Sequence, residues 1–283
     1  MKNRVANKET DKENEKKKLK AGIFSFTCCE GCQLQIMDLW DRLVQVLEFV
    51  DIAHFKLAQE DNVISDMDLA IVEGAIATKE EAEKLKEIRK KAGLLIAIGE
   101  CAVSGGIPAM RTVNIGGFTR PKGMLEKTAG IDQHVKVDYR LRGCPVEREE
   151  FLNMVVGLAV GKVPQEVNEP VCMECNRREI ECLMLKGIPC MGPMTCAGCN
   201  ALCPSVGIPC EGCRGTTEDA AIEQVRERCL EVGASMRMVR NAIERFSSKR
   251  LEEEMKKAIE RRNADRNAGD AKERNSEEGS LHG

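Results

Sequence analysis

Nine cysteines lie between Val171 and Arg214, in the stretch VCMECNRREIECLMLKGIPCMGPMTCAGCNALCPSVGIPCEGCR. Thiolates bind soft metals, hold iron–sulfur clusters or close disulfides. The stretch has no aromatic residue and few apolar runs. It cannot bury enough apolar surface to offset the entropy of ordering it. Metal or disulfides must therefore set its shape. Cys172 and Cys175 form one C-x-x-C pair and Cys210 and Cys213 another, with Cys182, Cys190, Cys196, Cys199 and Cys203 between them.

Two C-x-x-C pairs are compatible with a zinc ribbon; one zinc would use four thiolates and leave five without a role, and two zincs are an open alternative. Cys199-x-x-x-Cys203-Pro204 resembles the end of the bacterial ferredoxin run, in which proline follows a cluster ligand. Iron–sulfur is the favoured reading. Dense Pro and Gly, as in GIPC and MGPM, would stiffen loops whose shape the clusters dictate.

The rest of the composition sharpens this. The chain of 283 residues has 15 cysteines, 3% aromatic residues and a formal net charge of -3. Few aromatics argue against a surface for stacking single-stranded nucleic acid. The near-neutral charge predicts no bulk attraction to DNA or anionic membranes, and no apolar run is long enough to span a bilayer. The lysine-rich amino end has neither an apolar export core nor a twin arginine, so the expected compartment is the cytoplasm, where thiols stay reduced and favour metal over disulfides. That charge run reads as a solvated tail rather than a docking element. There is no P-loop and no Ser/His/Asp grouping. With three histidines, the chain reads as an electron carrier more than a catalyst.

The elements that must position these sulfurs come next. Ile23–Phe26, Val50–Leu57, Asp68–Val72, Gly93–Ile98 and Val135–Leu141 read as strands. Gln33–Phe49 reads as a helix with Leu34, Met37, Trp40, Leu43, Val44 and Leu47 on one apolar face, which makes Trp40 a core residue. Thr78–Lys91 begins with a capping threonine, has Glu in its first turn and Lys/Arg in its last. Glu147–Val160 reads as a further helix, and loop fills the segment holding Pro108, Gly116, Gly117 and Pro121. His54 is expected to be structural. Strands alternating with helices imply an open parallel α/β sheet, in which ligands sit at the carboxyl ends of strands. Cys29 and Cys32, then Cys101, then Cys144 each follow a strand next to glycine. Four thiolates gathered at one crevice would suit a [4Fe–4S] cluster.

Five segments follow: a disordered tail (1–19), a sheet domain (20–165), an iron–sulfur domain (166–216), a helical extension (217–262) and a second disordered tail (263–283). Cys229 in the extension reads as a core thiol. Glu30, Glu73 and Glu100 near the crevice read as solvated or capping carboxylates.

Cys29-Glu30-Gly31-Cys32, Gly99-x-Cys101-x-x-x-Gly105-Gly106 and Gly143-Cys144-Pro145, with the later cysteine series, resemble the small subunit of [NiFe] hydrogenases. The likeness is strongest to the cytosolic branch that includes sulfhydrogenase delta subunits, and covers roughly Gly22 to Gly215. It implies a flavodoxin-like open parallel sheet followed by a small irregular iron–sulfur domain and C-terminal helices. It also implies three [4Fe–4S] clusters. The proximal one would be held by Cys29, Cys32, Cys101 and Cys144. The distal one would take Cys172, Cys175, Cys182 and Cys190, and the medial one Cys199, Cys203, Cys210 and Cys213. Cys172 stands where many exported relatives carry histidine, and Cys203 where many have a medial proline. Cys28, beside Cys29, resembles the tandem cysteines of the related complex I subunit. No ligand role is expected for Cys196. The resemblance places the nickel–iron centre in a separate large subunit, so this chain alone is not expected to activate hydrogen. A further flavin- or iron–sulfur-containing subunit would exchange electrons with it. The alternatives are a complex I-like connecting subunit without hydrogenase activity, and a zinc-stabilised binding module.

Overall fold

A computed structural model describes residues 18–55, 64–110, 122–162, 164–241 and 246. The chain opens on β1 (Leu19–Ser25), one residue before the expected start of the sheet domain. Then come α1 (Gly31–Met37), α2 (Trp40–Phe49), β2 (Val50–Phe55) and β3 (Met67–Glu73). Next are β4 (Ile76–Thr78), α3 (Lys79–Lys91), β5 (Ala92–Ile98), α4 (Gly99–Ser104) and α5 (Gly106–Ala109). β6 (Met124–Ala129), β7 (Tyr139–Leu141) and α6 (Arg148–Ala159) complete the first domain.

Five strands form one parallel sheet in the order β2-β1-β3-β5-β7. Counting only these strands, that is the flavodoxin-like order, with the topological switch between β1 and β3. The apolar runs of β1, β3 and β5 are explained by burial on both faces. Ile23, Ile71, Ile96, Ile98 and Leu141 pack on one face against Ile36, Phe151, Leu152 and Val155. Phe24, Ala70, Val72, Leu95 and Ala97 pack on the other against Leu85, Ile88, Ala102 and Val103. α3 is fixed at its start by a capping box in which the Thr78 hydroxyl accepts from Glu81 N–H and the Glu81 carboxylate accepts from Thr78 N–H. His54 is buried, bonded through Nδ1 to the Ile23 carbonyl and stacked on Phe24, as a structural histidine should be.

Several expectations are corrected. The helix over Gln33–Phe49 is two helices, broken at Asp38–Leu39. Cys32, Gln33, Ile36 and Leu39 are the buried face, while Leu34, Val44 and Leu47 are exposed. Glu73 holds the start of α1 against the sheet: its carboxylate accepts from the backbone N–H of Cys32 and Gln33 and from Gln33 Nε2. The side chains of Trp40 and Leu43 lie outside the described residues. The fifth sheet strand is only Tyr139–Leu141, preceded by a 3-10 turn at Ile131–Gln133. The expected loop segment holding Pro108 contains α5, and β6 follows Pro121 and pairs antiparallel with β4 in a small second sheet.

The cysteine-rich segment contains α7 (Val171–Arg177), α8 (Leu202–Ser205) and 3-10 turns at Leu183–Lys186 and Gly192–Met194. Beyond it α9 (Ile222–Glu231) packs Ile222, Val225 and Cys229 on Met184, Met191 and Met194. The expected helical extension from Thr217 is therefore shorter at its start, because Thr217 is buried and bonded back to the Met194 carbonyl. Residues 236–241 are helical. The remainder of the extension and both expected tails, apart from Lys18 and Leu19, lie outside the described residues. Among the described residues no helix is long and apolar enough to cross a membrane.

Candidate metal centres

The sheet delivers the first group of sulfurs. β1 ends at Ser25 and leads into Cys28 and Cys29, with Cys32 on the first turn of α1. β5 ends at Ile98, and Cys101 lies on the first turn of α4. β7 ends at Leu141, three residues before Cys144. Parallel strands put all of these at one rim. The Cys101 sulfur is within electrostatic reach of those of Cys144, Cys28 and Cys29, and Cys32 is within reach of Cys101. Gly99 has φ +78, and a Cβ there would lie 2.4 Å from Cys32 Sγ. Only glycine leaves room for that sulfur. Cys28 is half-buried, its sulfur accepting from Glu30 N–H at 3.3 Å, while Cys29 is exposed.

A second group surrounds a cavity of about 160 Å³ lined by Cys172, Cys175, Cys182 and Cys190 with Met184 and Pro204. That is roughly ten times the ~15 Å³ needed to admit one water. A Cβ at Gly192 would touch the sulfurs of Cys172 and Cys190 at 3.4 and 3.5 Å, so this glycine forms part of the cradle. Cys182 is exposed at the surface side.

The third group is tied together through Cys213, whose sulfur is within electrostatic reach of Cys199 and Cys203, while Cys210 is within reach of Cys213. The backbone N–H of Cys144 also pulls the Cys213 thiol pKa down. Cys210 N–H donates to Cys190 Sγ at 3.3 Å. Each group thus touches the next. Cys196 stands apart, buried beside Arg142, Glu100 and Arg214. Cys229 is buried under α9, its thiol donating toward the Cys190 carbonyl at 3.8 Å.

Burial, reinforced by neighbouring sulfurs, pushes these thiols up, to about 12 for Cys101 and about 11 for Cys172. Burial likewise raises Cys210 to about 12 and Cys213 to about 11, although backbone donors pull both down. Cys32 is raised as well, by burial and by Glu73. Bare thiols in such places stay protonated at neutral pH. Cationic iron is what would turn them into thiolates. Soft donors, backbone N–H groups aimed at sulfur and glycine-lined space fit iron–sulfur clusters. Among the described residues, no three Cys, His, Asp or Glu side chains close round a single point as a lone ion would hold them.

A buried arginine that the sequence reading did not single out joins the two domains. Arg214 Nε donates to the carbonyls of Cys196 and Ala197 at 3.2 and 2.8 Å. Nη1 donates to the Arg142 carbonyl at 2.9 Å, and Nη2 to Glu150 Oε1 on α6 at 2.9 Å. Its position immediately after Cys213 was the only available sign. Glu73 caps α1, but it and Glu100 are buried rather than solvated. Burial lifts the Glu100 carboxyl above the usual range, although Arg142 lies 3.5 Å away and pulls it down.

Comparison with known proteins agrees with this layout. A family described as "NADH ubiquinone oxidoreductase, 20 Kd subunit" matches residues 29–158, the sheet domain. The chain is 37% identical over 223 residues to sulfhydrogenase 2 subunit delta of Pyrococcus furiosus, covering 76% of this chain and 93% of that one. It is 26% identical over 181 residues to the NAD-reducing hydrogenase HoxS subunit delta of Cupriavidus necator, covering 55% and 87%. Among solved structures, the actinobacterial-type NiFe-hydrogenase from Ralstonia eutropha shares the fold, with a TM-score of 0.56 at 14% identity over 86% of this chain and 91% of that chain. With the delta-subunit likeness running through both the sheet and the cysteine-rich segment, the chain belongs to the small-subunit family of [NiFe] hydrogenases.

Proposed function

We propose that this chain is the cytoplasmic electron relay of a [NiFe] hydrogenase. It would carry electrons between a large subunit holding the nickel–iron centre and a further flavin- or iron–sulfur-containing partner. In this reading Cys29, Cys32, Cys101 and Cys144 hold the proximal [4Fe–4S] cluster. Cys199, Cys203, Cys210 and Cys213 hold the medial one, and Cys172, Cys175, Cys182 and Cys190 the distal one. Bound clusters supply one-electron carriers. The protein's part is to hold them in series, shield them from water and aim N–H groups at their sulfurs.

The observation that carries this reading is the chain of contacts between sulfur groups. Cys144 meets Cys213, and Cys210 meets Cys190. A stabilising metal knot in the second domain would have no need of the first link. The exposed Cys182 supports an outlet at the distal end.

Iron and acid-labile sulfide in the anoxically purified complex test it. Roughly twelve of each per chain are expected for three cubane clusters. Zinc in their place, or a single cluster, would sink the reading. The complex I-like alternative is favoured by the family match over residues 29–158. That match stops before the dense cysteine segment, whereas the delta-subunit likeness does not. Co-purification with a nickel-containing partner would separate the two.

A further inference from the structure

Two opposite charges reach the Cys199 loop. Arg214 is only 3% exposed. A Cβ at Gly198 would lie 2.1 Å from its Nη2, so the guanidinium presses on the residue next to Cys199. The sulfurs of Cys199 and Cys213 both lie within its electrostatic reach. Glu174, on α7 beside Cys175, arrives from the other cysteine group. Its Oε1 accepts from Gly198 N–H at 2.8 Å and its Oε2 from Ala201 N–H at 2.9 Å, with Cys199 Sγ 3.8 Å from Oε2. Glu150, on α6, neutralises part of the Arg214 charge, and its Oε1 lies 2.8 Å from the same Cβ position at Gly198.

Reduction adds negative charge to a cluster. A buried cation beside it favours the reduced form, and a carboxylate disfavours it, by an amount magnified where water is excluded. Resting on the iron–sulfur reading above, we propose that Arg214 and Glu174 are positioning residues that set the reduction potential of the Cys199/Cys203/Cys210/Cys213 centre in opposite directions, Arg214 raising it and Glu174 lowering it. Arg214 stands toward Cys144 and Glu174 toward Cys175, so the two also tilt the field along the relay.

The test is an EPR-monitored redox titration of the purified complex carrying Arg214→Gln, Arg214→Lys or Glu174→Gln, with iron content measured alongside. In Arg214→Gln one of the three midpoint potentials falls, by about tenfold in the reduction equilibrium or about 59 mV for one electron. Arg214→Lys restores most of that shift, because it keeps the charge and loses only the fork. In Glu174→Gln the same centre moves up. Its single amide oxygen can accept from Gly198 or from Ala201 but not from both, so iron content is read beside the potential; the Arg214 clamp on Glu150 and the Arg142 carbonyl is left in place. Full iron content with the potentials unmoved in Glu174→Gln and Arg214→Gln overturns the inference alone. A wild-type complex with only one reducible centre overturns the relay reading and the inference with it.

Discussion

The backbone of Cys144 pulls the thiol pKa of Cys213 down, although one belongs to the sheet domain and the other to the cysteine-rich segment. Arg214, the next residue along, fastens the same junction by donating to the Arg142 carbonyl and to Glu150. Electron transfer between neighbouring centres needs a short, fixed separation. In the proposed relay, this junction would fix the separation of two of them.

Removing the fastener should be costly. Arg214→Ala leaves Glu150, the Arg142 carbonyl and two carbonyls of the cysteine loop without their donor. Breaking one side of a buried ion pair typically costs about 3–5 kcal/mol. Denaturant unfolding of the anoxic protein should show a loss of that size, with early release of the cysteine-rich segment detected by limited proteolysis.

The Thr78 cap gives a smaller, cleaner effect. Thr78→Ala removes the acceptor for Glu81 N–H at the start of α3 and should cost about 1 kcal/mol. The urea midpoint should fall while the slope stays unchanged.

Acid should act through Asp138. Burial alone would raise this carboxyl, but Leu95 N–H and Arg89 outweigh it and hold it below its ordinary value of 3.8. A depressed folded value stabilises above the ordinary range and loses that stability as pH falls through the folded one. Asp138→Asn should therefore be less stable by about 2 kcal/mol at pH 7. The gap to wild type should begin to close near pH 4 and shrink further below it. A gap that stays constant down to pH 2 would contradict the assignment.

Filling the space at Gly99 should strike one centre only. A Cβ there would lie 2.4 Å from Cys32 Sγ and force φ +78 on an ordinary residue. Gly99→Ala should lose about a third of the iron, the share of one cluster in three. Loss of all the iron would point to global misfolding.

Much of the sheet was readable because its strands are buried on both faces and so appear as continuous apolar runs such as GLLIAI and DLAIV. The crevice was readable for a related reason. Strands running in one direction must end at one rim, so Cys29, Cys101 and Cys144 had to converge once the strands were found. What escaped depends on long-range pairing. The burial of Gln33 follows from Glu73, forty residues away in the chain. β4 is only three residues long and β6 mixes polar with apolar residues, so neither announces itself, and their mutual pairing makes them strands. Arg214 carries no periodic signal, since its partners come from three separate segments.

All five strands of the main sheet point their carboxyl ends at the sulfur-bearing rim, and β1 enters from the opposite side at Leu19. Seven residues of extended chain, about 23 Å, lie between that entry and the first cysteines. A surface anchor or affinity handle fused ahead of Leu19 would therefore join at the insulated side. An electrode tethered there would meet protein rather than inorganic centres, so wiring the molecule for current calls for attachment near Cys182 instead.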